Sequence, residues 1–195
     1  MGYSIDPISA NCYPDTTVLI NKFDIRNEEK LNEVESVIAS VRYAEWLNAP
    51  KADSFDFEHY KAIHHFHFSD LYDWAGQIRT VNISKKGTVF TATEKIEEQA
   101  ALIFKRLKEC NYFKGLEHGE LVDEIVDFYC VTNALHPFRE GNGRTQRVFL
   151  TQLIRNAGHD ISFADIDTEL LMIATIKSAQ GITQILKELF KEYIN

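Results

Sequence analysis

Four side chains that could do chemistry lie within one stretch of twelve residues, from His136 to Arg147. His136 is the natural general base, because an imidazole titrates near neutral pH. Glu140 offers carboxylate oxygens, which Mg²⁺ prefers as ligands. Arg144 and Arg147 are three residues apart, so they share one face of a helical turn, and their fork geometry suits phosphate oxygens. The stretch therefore predicts a base beside a site for a polyphosphate and its Mg²⁺.

A glycine-rich loop, Gly141-Asn142-Gly143, separates the base from the two arginines. Glycine allows positive φ and leaves the backbone N–H groups bare. We expect the loop to open a helix, whose N-terminus attracts anions through its unsatisfied donors and its dipole. A periodic apolar run from about 120 to 135 predicts a preceding helix, and Pro137 should end it by disfavouring the α region at His136. The stretch does not fit the P-loop pattern of phosphate-binding proteins.

With these residues in place, the stretch resembles the signature His-Pro-Phe-x-(Asp/Glu)-Gly-Asn-Gly-Arg-x-x-Arg of Fic-domain proteins, and every defining position is filled. Members of this family usually transfer AMP from ATP to a hydroxyl of a target protein. The resemblance implies that the loop amides and Asn142 stabilise charge on the α-phosphate, and that Arg144 and Arg147 hold the outer phosphates. It also implies that Glu140 holds Mg²⁺ and that Phe138 points inward as an anchor.

Other group transfers remain open at this point. Fic relatives whose loop departs from Gly-Asn-Gly-Arg phosphorylate instead, and the intact loop here favours AMP. A kinase, a UMP or phosphocholine transferase on the same scaffold, or a binding module that has only kept the motif, are the alternatives. Many family members also carry an inhibitory helix with Ser/Thr-x-x-x-Glu-Gly/Asn, and no segment of this chain fits it. The resemblance then suggests a toxin or effector restrained by a separate small inhibitor protein that supplies a Glu to Arg147.

A second segment that resembles the family is a predicted β-hairpin at about 77–91. Alternation from Gln77 to Ser84, a turn at Lys85-Lys86-Gly87 and a return through Thr88-Val89-Phe90 favour two short strands. A free strand edge can hold an extended peptide. In Fic proteins a hairpin here, the flap, holds the target, so the resemblance assigns target binding to Ser84, Lys85, Lys86, Gly87, Thr88, Val89 and Phe90.

The remaining chain predicts one mainly α-helical domain over residues 1–195, a helical bundle with that single hairpin. Residues 1–26 read as an irregular arm that packs through Val18, Leu19, Ile20, Phe23 and Ile25. Caps are expected at Asn27, at Asp53-Ser54 and at Ser162 or Asp165, with a last helix over about 179–193. His64, His65 and His67 are interpreted as structural, because no Cys or carboxylate completes a metal site at helical spacing.

Composition limits the partners. The chain has 195 residues and a net charge of −8, which argues against nucleic acid as a partner. Three cysteines without metal-type spacing fit a reducing compartment. With no apolar run of membrane length and no signal peptide, we expect no membrane association and a bacterial cytoplasmic location, although an effector injected into a host cell would also lack such a signal.

Overall fold

The computed structural model describes residues 4–5, 11–47, 54–85 and 87–195. Its order of elements confirms the predicted helical bundle with a small β-structure. The strands are β1 (Ser4–Ile5), β2 (Ile83–Lys85) and β3 (Thr88–Val89); the helices are α1 (Glu28–Leu47), α2 (Phe57–Phe68), α3 (Ile96–Glu109), α4 (His118–Leu135), α5 (Asn142–Asn156), α6 (Thr168–Ala179) and α7 (Gln184–Tyr193). In this part of the chain no helix is long and apolar enough to cross a membrane.

Side-chain caps fix where the helices begin, and two differ from prediction. Asn27 caps α1 as expected, because its Oδ1 accepts the Lys30 N–H at 2.9 Å. Asp56, and not Asp53-Ser54, caps α2 by accepting the His59 N–H at 2.8 Å. Asp167, and not Ser162 or Asp165, caps α6. These errors have one cause: several Asp and Ser residues stand close together, and only packing of the apolar face selects among them.

The main core is built from aromatic side chains around α5. Phe149 is fully buried, and its ring lies 5.3 Å from Tyr60, 5.6 Å from Phe104 and 5.7 Å from Phe128. Rings at these separations contribute about 0.5–1.5 kcal/mol per pair beyond their buried area. The cluster joins α2, α3, α4 and α5, so the helices on both sides of the motif rest on one rigid core.

A smaller core cluster lies between the N-terminal arm, α1 and the segment after α2. Val18 and Leu19 are buried in it together with Leu31 and Leu71. The prediction that Ile20 and Phe23 pack inward is wrong, since these side chains are 47% and 54% exposed. An irregular arm has no fixed period, so its sequence does not say which apolar residues face the core.

The predicted hairpin is confirmed, and it is joined by a third strand. β2 pairs antiparallel with β3 through Ser84–Val89 and Lys85–Thr88, and the Phe90 N–H donates to the Ile83 carbonyl at 3.5 Å. On its other side β2 pairs with β1, with Ser4 opposite Ser84. One of the two edges that the sequence leaves free is therefore covered by the chain's own N-terminal segment.

The register also determines which backbone groups point outward. In an antiparallel pair, hydrogen-bonded and non-bonded residue pairs alternate. Because Phe90 and Ile83 are bonded, Ser84 and Val89 are the non-bonded pair, and their backbone groups point away from each other. The backbone N–H and C=O groups of Ser84 face β1. The same groups of Val89 face the outer side of β3, where no strand lies within the described residues.

Candidate active site

His136 is held at the end of α4 in a defined orientation. It caps the helix in the left-handed region, with φ 44° and ψ 59°, and not in the extended region expected before proline. Its Nδ1 lies 3.0 Å from the Asn133 carbonyl, so Nδ1 carries the proton and Nε2 is the basic nitrogen. The ring of Phe90 stacks on the imidazole at 3.6 Å between centroids. The sequence predicts titration near neutral pH, but burial lowers the pKa of His136 to about 3. The ring is therefore neutral, with Nε2 unprotonated, at physiological pH.

Arg79 braces this histidine against the flap, residues 77–91. Its side chain is buried, its Nε donates to the His136 carbonyl at 2.8 Å and its Nη1 to the Val81 carbonyl at 2.7 Å. Its Nη2 donates to the carbonyl of Thr91, at the far end of the flap. One guanidinium thereby links the backbone of His136 to two points of the flap, Val81 and Thr91, a task that the spacing of the sequence did not reveal.

The loop after His136 is closed by Asn142. The Asn142 Oδ1 accepts the Phe138 N–H at 2.9 Å, and its Nδ2 donates to the Phe138 carbonyl at 2.8 Å. Phe138 is completely buried, as the family resemblance implied. Both polar atoms of the Asn142 side chain therefore hold the loop, and its predicted nucleotide contact stays a prediction. Asn142 and Gly143 belong to the first turn of α5, so the loop proper ends at Gly141.

Gly141 can only be glycine. Its φ is 79°, and a Cβ there would overlap the ring of Phe68, which is itself buried. This close approach brings the loop onto α2. The N–H of Gly141 donates to its neighbour Glu140 Oε1 at 2.9 Å.

His64 of α2 also supports this loop. Its Nε2 lies 2.9 Å from the Glu140 carbonyl, its Nδ1 accepts the Gly76 N–H at 2.8 Å, and its ring stacks on Phe138 at 3.9 Å. Burial lowers its pKa to about 3. His65 and His67 also contact backbone carbonyls, those of Ala75 and Ile63. Each of the three histidines thus bonds to the backbone, as expected for a structural residue.

Arg139, to which the sequence assigned no role, ties the arm to the motif. The side chain is buried, and its Nη2 donates to the Cys12 Sγ at 3.4 Å.

The two predicted arginines, Arg144 and Arg147, border the same cavities but differ in their contacts. Arg144 stacks on the ring of Phe68 at 4.8 Å and forms an ion pair with Glu35 of α1. The guanidinium of Arg147 forms no hydrogen bond or ion pair among the described residues, and burial lowers its pKa. An arginine in such surroundings is suited to an anion that arrives from outside.

Both arginines border two cavities. The motif cavity, of about 320 Å³, is also lined by His136, Glu140 and Gly143, by Lys85, Thr88 and Phe90 of the flap, and by Leu171, Met172 and Ile176. The α1 cavity, of about 330 Å³, is lined by Ser36, Ser40 and Tyr43 of α1 and by His67 of α2. Of the other predicted flap residues, Val89 is 81% exposed, and Lys86 lies outside the described residues. Base, carboxylate, arginines and flap thus meet around one ligand-sized space.

A helical bundle thus places a neutral buried histidine, a helix N-terminus and two arginines around one cavity, an arrangement suited to a nucleotide. Several relatives are named protein adenylyltransferases, and with them the chain is an enzyme of the nucleotidyltransferase class. The sequence model of the Fic/DOC family matches residues 54–154, and the chain belongs to this family. A probable protein adenylyltransferase y4lH of Sinorhizobium fredii is 38% identical over 177 residues, which cover 90% of this chain and 89% of that protein. The protein adenylyltransferase VbhT of Bartonella schoenbuchensis is 35% identical over 178 residues, 91% of this chain and 37% of VbhT.

Solved structures agree on the fold. The BepC protein of Bartonella tribocorum, a VirB-translocated effector crystallised with bound AMPPNP, matches with a TM-score of 0.90 at 29% identity, over 95% of this chain and 96% of that one. The type IV secretion system effector BepA also matches with a TM-score of 0.90, at 30% identity, over 95% of this chain and 68% of that one.

Proposed function

We propose that this enzyme transfers AMP from Mg²⁺-ATP to a Ser, Thr or Tyr hydroxyl of a target protein. The observation that carries the proposal is the orientation of His136: its Nδ1–H is committed to a backbone carbonyl, and its ring borders the cavity that also contains Arg144 and Arg147. A general base and a polyphosphate site therefore share one space. The names of the relatives support AMP as the transferred group.

In the proposed reaction the target hydroxyl loses its proton to His136 Nε2 while its oxygen forms a bond to the α-phosphorus. The bond from this phosphorus to the bridging oxygen of the β-phosphate breaks, and pyrophosphate leaves with the electron pair. The N–H groups at the start of α5 face the charge that develops on the α-phosphate, which is the largest contribution in such transfers. Arg144 and Arg147 hold the outer phosphates. The apolar wall from α6 suits the flat nucleobase.

Glu140 is the residue that would hold Mg²⁺. Its carboxylate borders the motif cavity, and Mg²⁺ in nucleotide sites takes one or two carboxylates together with phosphate oxygens and waters. When bound, the ion neutralises phosphate charge. Glu140 Oε1 lies 4.0 Å from Arg144 Nη2 and accepts the Gly141 N–H, so the carboxylate is already oriented at the loop that would carry the phosphates.

The flap is the proposed docking place of the target. Its residues Lys85, Thr88 and Phe90 border the cavity next to His136. Since β1 covers the outer edge of β2, we propose that an extended target segment pairs along β3, where the backbone groups of Val89 point outward.

We further propose regulation by a small inhibitor protein that supplies a glutamate to Arg147. The support is the lack of a protein acceptor for this guanidinium in the described chain, together with its position on the α1 cavity. An inhibitor seated against α1 could reach Arg147 and exclude the γ-phosphate. The chain would then act as a toxin in the bacterial cytoplasm or, as the effector neighbours suggest, in a host cell.

The test uses ATP labelled on the α-phosphate or, separately, on the γ-phosphate, incubated with bacterial and animal-cell lysates. Label from the α-phosphate alone, absent with His136→Ala, is the expected result. Label from the γ-phosphate alone would make the enzyme a kinase and overturn the proposal. Equal labelling by wild type and His136→Ala would remove the histidine from the mechanism.

A further inference from the structure

Glu35 is a buried carboxylate that lies 109 residues before its partner in the motif. It sits on the inner face of α1, between the buried residues Leu31 and Ala39, and is 6% exposed. Glutamate is almost never buried unless it is paired, because removing a charge from water costs several kcal/mol. Its position therefore calls for partners that satisfy both oxygens.

Both oxygens of Glu35 have one partner each. Oε1 accepts a hydrogen bond from Arg144 Nη2, and Oε2 accepts the Tyr72 hydroxyl at 2.5 Å. Tyr72 is 1% exposed and stacks on Trp74 at 4.3 Å, so it cannot turn away easily. Burial, and then the charge of Glu35, raise the pKa of Tyr72, so the hydroxyl stays a donor at all physiological pH values. Tyr72 thus fixes the carboxylate, and the carboxylate fixes Arg144.

This pair restrains Arg144 without using up its donors. A guanidinium has five N–H groups, and Glu35 engages Nη2 only. Phe68 covers one face of the guanidinium at 4.8 Å, while the side chain remains 29% exposed and borders both cavities. A free arginine loses rotamer entropy when a ligand immobilises it. An arginine that is already held in place loses less, which strengthens ligand binding.

We infer that Glu35, held by Tyr72, is the positioning residue for Arg144, and that it sets the affinity of the site for the outer phosphates of the nucleotide. This inference rests on the proposed function for the identity of the ligand. It explains why the two motif arginines differ: Arg147 meets no carboxylate in the described chain, while Arg144 is anchored from α1. It also gives α1, which contributes nothing to the signature, a direct effect on nucleotide binding.

Calorimetric titrations with Mg²⁺-ATP and with AMP test the assignment, because AMP lacks the outer phosphates. We expect Glu35→Ala to weaken Mg²⁺-ATP binding about tenfold and AMP binding less than about twofold, a factor of ten being about 1.4 kcal/mol. Glu35→Gln keeps an oxygen that Arg144 can donate to, so it should restore Mg²⁺-ATP binding to within about threefold of wild type. Tyr72→Phe should fall between the two.

Three results would overturn the assignment. Tighter Mg²⁺-ATP binding by both Glu35 variants would make Glu35 a competitor of the phosphates. Equal losses for ATP and AMP, or equally weak ATP binding by Glu35→Gln and Glu35→Ala, would reduce it to a structural residue. The titration needs no target protein. If the wild type binds Mg²⁺-ATP but labels no protein, the proposed transfer is wrong and the role of Glu35 is unaffected. Unfolding curves of each variant identify a general loss of fold.

Discussion

Replacing His64 by phenylalanine should remove a large part of the protein's sensitivity to acid. The imidazole is fully buried and neutral, with a pKa lowered to about 3 by burial, whereas a histidine in an unfolded chain titrates near 6.5. Between these two values the unfolded chain binds a proton that the folded protein does not. Stability is therefore highest above about pH 6.5 and is lost as the pH falls toward the folded pKa.

The magnitude follows from the two pKa values. Between pH 7 and pH 5 the difference in proton binding by His64 lowers the free energy of unfolding by about 2 kcal/mol. His136, whose pKa is also lowered to about 3, contributes a similar loss. Between pH 7 and pH 5, His64→Phe should therefore lose about 2 kcal/mol less stability than wild type does. The contribution of His136 remains in both proteins.

The same variant should be less stable at pH 7. Phenylalanine can keep the stacking on Phe138, but the Gly76 N–H and the Glu140 carbonyl lose their partner. Each buried polar group left without a partner costs about 1–3 kcal/mol. Urea unfolding at pH 7 and pH 5 measures both effects, with His65→Phe as the control on the exposed neighbouring imidazole. A pH dependence of His64→Phe equal to that of wild type would refute the reasoning.

Three further predictions concern the loop, the phosphate site and the flap. Gly141→Ala should lower the free energy of unfolding in urea by more than about 2 kcal/mol, because alanine is strained at this positive φ and its Cβ would overlap Phe68. Unchanged stability would contradict the observed loop. Arg147→Met should raise the melting temperature of the nucleotide-free protein and weaken Mg²⁺-ATP binding, because it removes a partly buried cation that forms no hydrogen bond or ion pair within the described residues; a lower melting temperature would contradict this. Val89→Pro removes an outward N–H of β3 and should reduce target labelling at unchanged ATP affinity, with Val89→Ala as its control. If labelling is unchanged by Val89→Pro and rises when residues 1–10 are deleted, the target pairs with the edge of β2 instead.

The sequence predicted the motif well because its chemistry is local. The end of α4 before His136, the burial of Phe138 and the proximity of Arg144 and Arg147 follow from residues close together in the chain. Backbone preferences and helical spacing act over a few residues, so such features can be read directly. The hairpin was located for the same reason, although its strands are shorter than the alternation suggested.

Errors arose where several local solutions were equally good. Asp56 and Asp167 are the caps, whereas the sequence favours neighbours with the same chemistry. Ile20 and Phe23 face solvent, whereas the sequence predicts them in the core. A cap or an apolar side chain offers a local possibility, and the packing of the whole chain decides whether it is used.

By itself, the sequence predicted which groups would act: a base at His136, a carboxylate at Glu140, two arginines and a flap. Only the tertiary structure decided how they are held. Glu35 reaches Arg144 across 109 residues, and His64 reaches the Glu140 carbonyl across 76. Likewise β1, from the far N-terminus, covers one edge of the flap. These contacts depend on the relative placement of packed helices and strands, and a buried charge or backbone group acquires its partner only when the fold brings distant segments together.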